Sequence, residues 1–208
     1  MMLMKRDVHG LEFVASCFLV KPSGYLLTTA SGISSESELV AVTVDTAERY
    51  PPMSCQASSP IPVDIVALDR ERDTALLRLQ PDVRIQMPDD IIGEPDETPR
   101  GALLLSVGIP YGREHVHTVV GPASVLAGRT RTETGTNLLL FDHQIHPGDI
   151  GGPMVRASDG LVIGIVAGLF HPSVLHSPNA SWVADQYAGL SYAVSIQYGS
   201  ELLTSHSV

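Results

Sequence analysis

The chain has 208 residues, 44% of them hydrophobic, with 13 Lys+Arg against 23 Asp+Glu and a net charge of −10. That is enough apolar material to pack one β-rich domain or two small lobes. An acidic balance repels phosphate backbones, so nucleic acid is excluded as an expected partner, and no apolar run reaches the roughly 20 residues a membrane helix needs.

In chain order, the N-terminal MMLMKRDVHGLEFVASCFLV does not read as a secretory leader, because Asp7, His9 and Glu12 interrupt any apolar region. A cytoplasmic protein without membrane insertion is therefore expected. The apolar runs that follow are short, and glycine, proline, aspartate or serine breaks them. EFVASCFLV (12–20), GYLLTTA (24–30), LVAVTVD (39–45), PVDIVALD (62–69) and DTALLRL (73–79) all read as strands, with KPSG (21–24) as a hairpin turn. The stretch 80–101 holds six acidic residues and four prolines without periodicity, and reads as a solvated interlobe connection. Strand patterns resume at ALLLSVGIP (102–110), HTVVGPASVLAG (117–128), NLLLFDHQI (137–145), GPMVRA (152–157), LVIGIVAGLF (161–170) and LSYAVSI (190–196). RTETGTN (131–137) looks like a hairpin tip, and SIQYGSELL (195–203) can close the chain as a helix, although Gly199 weakens it.

Two sets of five or six strands joined by one long link predict an all-β fold of two packed antiparallel six-stranded barrels. The expected lobes are about 10–80 and about 101–196, with an acidic link at about 81–100 and a short C-terminal helix at about 195–204. Cys17 and Cys55 are too few for a disulfide scaffold or a four-cysteine zinc site. Cys17 sits in an apolar run and reads as a core residue, with a single bridge to Cys55 left open.

The order and wording of five segments resemble the trypsin-like serine proteases, and within them the HtrA/Deg branch. GYLLTTAS (24–31) is similar to the strand that leads into the catalytic histidine, and RDTALLRL (72–79) to the segment carrying the catalytic aspartate. LLSVGIPYG (104–112) is similar to the strand opening the second barrel. HPGDIGGPMV (146–155) with GLVIGIVAG (160–168) resembles the nucleophile loop and its following hairpin, and GLSYAVSIQYGSELL (189–203) the end of the protease domain. The resemblance implies the trypsin/chymotrypsin-like double barrel. HtrA proteins commonly carry a PDZ domain after the protease domain, and none is expected within these 208 residues.

The family's triad needs a hydroxyl nucleophile, an imidazole base and a carboxylate that orients the imidazole. By resemblance the three positions fall on Ser31 for the histidine, Asp73 for the aspartate and Ile150 for the nucleophile. Ile150 has no nucleophilic atom, and the Ser31 hydroxyl is not basic near neutral pH. Gly148, Asp149, Gly151, Gly152 and Pro153 fix the register around Ile150, and no histidine lies between His9 and His115. The sequence therefore predicts a pseudoprotease, not an enzyme, acting through a protein partner as a structural or scaffold subunit.

Alternatives follow from the same residues. The loop Gly148–Asp149–Ile150 either keeps an anion-binding nest of backbone amides or retains its glycines for the turn alone, and the second reading is favoured. A peptide could lie in the old cleft beside His146, Val166, Ala167 and Gly168, since an exposed strand edge accepts an extended chain. The histidines His115, His117, His143 and His146 raise the alternative of a hydrolase with unrelated, metal-assisted chemistry, but their spacing matches no standard zinc motif, so no metal and no cofactor are expected. Trp182, in the loop 171–182, reads equally as an interface anchor or as packing under its own loop. The sequence sets neither the partner nor the oligomeric state.

Overall fold

In the computed structural model, residues 1–8, 10–35, 38–43, 59–80, 84–109, 119–121, 124–170 and 189–208 are described. Among the described residues, fourteen strands form two antiparallel sheets, one per lobe. The first holds β1 (Met2–Asp7), β2 (Gly10–Ser16), β3 (Phe18–Leu19), β4 (Tyr25–Thr28), β5 (Glu38–Val42), β6 (Ile61–Asp69) and β7 (Thr74–Leu79), in the order β2-β1-β5-β6-β7-β4-β3. Its two edges, β2 and β3, are consecutive in the chain and separated only by Cys17, so one bent strand runs from edge to edge and curls the sheet into a barrel. Cys17 is a free, buried cysteine, and its amide donates to the Met1 carbonyl at 2.9 Å. Cys55 lies outside the described residues.

The second sheet holds β8 (Leu103–Gly108), β9 (Val119–Val120), β10 (Ser124–Arg131), β11 (Asn137–Phe141), β12 (Pro153–Arg156), β13 (Val162–Leu169) and β14 (Ser191–Ser195). The order is β10-β11-β14-β13-β12-β8-β9, and an additional β10–β8 pairing closes six of the strands into a barrel. The helix α1 (Gln197–Ser205) follows β14 directly. The expected all-β double barrel with a short C-terminal helix is the observed fold.

Alternation accounts for much of this. In β8 the burial runs exposed, buried, intermediate, buried, intermediate, buried, so Leu104 and Ser106 face inward while Leu103 faces out. The KPSG turn closes with the Gly24 amide on the Lys21 carbonyl at 3.1 Å, with Gly24 at φ +86°, where glycine carries no Cβ penalty.

Strand β1 is the main departure from the sequence reading, which began the first lobe at about residue 10. Met2, Leu3 and Met4 are all buried because both faces of β1 are covered, Leu3 in the first-barrel core and Met2 and Met4 in a second cluster with Val40, Val42 and Ile109, so the run never alternates. The acidic link is a second departure: part of it is an ordered strap on the second barrel. The Val162 amide donates to the Ile91 carbonyl at 2.7 Å, and the Gly93 amide to the Val162 carbonyl at 2.9 Å. Ile91 and Ile92 pack on the cluster that joins the lobes, made of Phe18, Val20, Leu27 and Leu76 from the first and Val162, Ile165, Ile196 and Leu203 from the second.

Candidate functional site

The three positions singled out by sequence lie where the lobes meet. β4 ends at Thr28, and the turn after it presents Ser31. Asp73 sits in the tight turn before β7, at φ +48°, an uncommon conformation that aspartate adopts more readily than most residues. The Ser31 amide donates to Asp73 Oδ1 at 2.6 Å, and the Ser31 hydroxyl donates to Asp73 Oδ2 at 3.1 Å. Both carboxylate oxygens thus accept from Ser31, the residue that the sequence resemblance sets at the histidine position. A cavity of about 300 Å³, lined by Ala30, Ser31, Gly32 and Arg70, opens beside the pair.

Asp73 is only 2% exposed. Burial pushes its carboxyl up to about 6, opposed by the hydrogen bonds from Ser31 and Ala30 and by the nearby Arg70 charge. Tyr192, on β14, is shifted upward as well, first by burial and then by the Asp73 charge. No sequence signal marked Tyr192, because only the packing of the second lobe against the first brings it near Asp73.

The loop carrying Ile150 begins with one turn of 3₁₀ helix, Pro147–Asp149. His146 caps it: its Nδ1 accepts from the Gly148 amide at 3.2 Å, while Asp149 Oδ2 accepts from the His146 amide at 2.8 Å. The Ile150 amide donates to the Pro147 carbonyl at 3.3 Å. The Gly148 and Ile150 amides therefore both bond within the loop itself. This geometry favours the turn-forming reading of the glycines over an anion nest. Ile150 is partly buried and packs on the second-barrel core.

The loop is stapled to the first barrel. The Ser16 amide donates to the Ile150 carbonyl at 2.7 Å, and the Ser16 hydroxyl to the Gly148 carbonyl at 2.7 Å. Gly151 has φ +83°, and a Cβ there would collide with the Ser16 carbonyl and with Thr28 Oγ1. Ser16 was not marked by sequence, since it lies in an ordinary strand with no motif around it.

Val166, Ala167 and Gly168 lie buried on β13. The Val166 amide donates to the Gly152 carbonyl at 2.9 Å and its carbonyl accepts from Gly151 at 2.8 Å, so both of its backbone groups are paired with the loop. His146 is exposed. Among the described residues, no three His, Cys, Asp or Glu side chains come together as a metal site. His143 and His146 are described; His115, His117 and Trp182 lie outside the described residues.

Two barrels meeting across an aspartate turn and a glycine loop define a chymotrypsin-type peptidase scaffold. The Trypsin-like peptidase domain matches residues 15–165, and the chain belongs to that family. Its relatives include a probable periplasmic serine endoprotease DegP-like of Halomonas elongata, 24% identical over 91% of this chain and 34% of the relative. Another is the magnetosome formation protease MamE of Magnetospirillum gryphiswaldense, 27% identical over 63% of this chain and 15% of that protein. Among solved structures, the HtrA-type protease AlgW with tripeptide superposes with a TM-score of 0.68 at 21% identity, covering 98% of this chain and 58% of AlgW. The chain spans about a third of the length of its DegP-like relatives. The expectation of a cytoplasmic location is overturned: these relatives are named periplasmic. That expectation rested on reading residues 1–20 for a leader, and a chain that spans a third of its relatives carries no such information.

Proposed function

We propose that this chain is a catalytically inactive member of the trypsin-like family that works by binding protein, as a structural or scaffold subunit of an assembly outside the cytoplasm. The observation that carries the reading is the Ser31–Asp73 pair. The carboxylate that would orient an imidazole is satisfied by a serine, and Ile150 occupies the nucleophile position. An oriented carboxylate without base or nucleophile has no general-base chemistry to support. The paired oxyanion amides support the same reading, since stabilising a tetrahedral intermediate requires them to be available. Occupation of the old cleft by a peptide is less favoured, because the Val166 backbone is already paired. The periplasmic names of the relatives support the extracytoplasmic setting.

Native purification from the source cells, paired with labelling by a fluorophosphonate probe, tests this. The proposal expects a partner at fixed stoichiometry and no labelling of this chain. A chain that purifies alone and takes the probe would contradict it.

A further inference from the structure

The second barrel has a polar mouth whose lining shares no residue with the cavity beside the Ser31–Asp73 pair. Directly opposed residues of an antiparallel pair share a sheet face. Arg129 opposes Leu139 and Arg131 opposes Asn137 across β10–β11. Leu139 in turn opposes Ala193 on β14, and Ser195 lies two residues further on the same face. Leu139 and Ala193 belong to the second-barrel core, so Arg129, Arg131, Asn137 and Ser195 continue that inward-facing row to the end of the barrel. There the row turns polar around a cavity of about 420 Å³, which Pro95 and Asp96 of the strap also line.

Two donors in this cavity stand out. Ser195 is 1% exposed, and its Oγ has no hydrogen-bond partner among the described residues. The buried Arg129 Nε also lacks one. Two neighbouring donors are committed: Arg129 Nη2 donates to the Pro95 carbonyl at 2.7 Å and to the Thr98 carbonyl, and Arg131 Nε to Asn137 Oδ1 at 2.8 Å. A buried donor left unpaired is costly, and a guanidinium N–H and a hydroxyl on residues lining one cavity suit the oxygens of a carboxylate. Barrel mouths are common places for small ligands. Leu138 and Leu139 supply an apolar wall, and Asp96 at the opening disfavours a dianion.

We propose that this mouth binds a single carboxylate carried on a small apolar group, either a free organic acid or the terminal carboxylate of a peptide. The site is independent of the triad region and stands whether or not the chain is a peptidase. Calorimetric titration with N-acetyl-leucine should give a Kd at or below about 1 mM, and N-acetyl-leucinamide should not bind. Ser195→Ala, which removes a hydroxyl with no described partner, should keep its Tm and weaken binding about tenfold. A tetrapeptide ending in a free leucine that binds at least as tightly would identify a peptide terminus as the source. Binding of the single amino acid but not the tetrapeptide would identify a free acid. Equal binding of acid and amide, equal binding of inorganic phosphate, undiminished binding by Ser195→Ala, or no binding of any probe would each overturn the proposal.

Discussion

Asp73 is held charged at a cost. Its folded pKa, about 6, lies above the ordinary value of 3.8, so the folded state prefers the protonated acid. The sign follows: this group adds stability as pH falls through 6, fully so below 3.8, and the contribution is lost as pH rises through 6. A shift of this size corresponds to about 3 kcal/mol at most. Asp73→Asn keeps an acceptor for the Ser31 amide and tolerates positive φ. It should stabilise the protein by about 1–3 kcal/mol at pH 8 and by much less at pH 4.5, as read by urea denaturation at both. A variant less stable than the parent at pH 8 would show that the charged form is favoured after all. His146 offers a second prediction. Restoring Ser31→His and Ile150→Ser leaves the Gly148 amide on the imidazole of His146. Adding His146→Ala should raise nitrophenyl-ester hydrolysis by about tenfold or more over the double variant, because one oxyanion donor is released. Equal rates in the double and triple variants would refute that account of the loop.

The loop around Ile150 is shaped by contact with β2 more than by its own chemistry. Gly151 and Gly160 make the comparison. Both have positive φ, at +83° and +76°, but a Cβ at Gly151 meets Ser16 and Thr28, whereas at Gly160 it meets nothing within 4 Å. Gly160→Ala should cost about 1 kcal/mol from backbone conformation alone, and Gly151→Ala roughly 3 kcal/mol or more as the staple to β2 is pushed apart. Similar costs in thermal melts would contradict the staple. These elements also mark what a sequence can reveal. Strands with clear apolar runs, such as β7 and β13, were legible, and so was a tight turn at the Ile150 loop, because its glycines and prolines demand one. Strand β1 was not, since burial of Met2, Leu3 and Met4 in succession erases the period of two. The strap over Val162 was hidden by its polar composition. Ser16 and Tyr192 were beyond reach, because their roles arise only when the two lobes pack.

Besides the Ser16 bonds to the Ile150 loop, three features among the described residues bind the lobes to each other. The shared apolar cluster is one, and the strap is another. The third is α1, which leaves the second barrel and lies against β7 of the first. There Arg72 donates to Glu201 at 2.8 Å and stacks 4.8 Å from the Tyr198 ring, and a Cβ at Gly199 would strike Leu27. Leu203, 4% exposed in the shared cluster, should on replacement by alanine destabilise the molecule by about 2–4 kcal/mol in one cooperative transition. Separate transitions for the two lobes would show them to be independent. A scaffold so joined can persist without its chemistry, and the claim that the chemistry is gone is open to direct measurement. The most direct measurement follows fluorescein-labelled casein with the purified chain beside its Asp73→Asn variant. Both should release fluorescence no faster than buffer. Hydrolysis that co-elutes with the chain and disappears in Asp73→Asn would mean that the carboxylate still orients a working base, and the account of an inactive triad would fall.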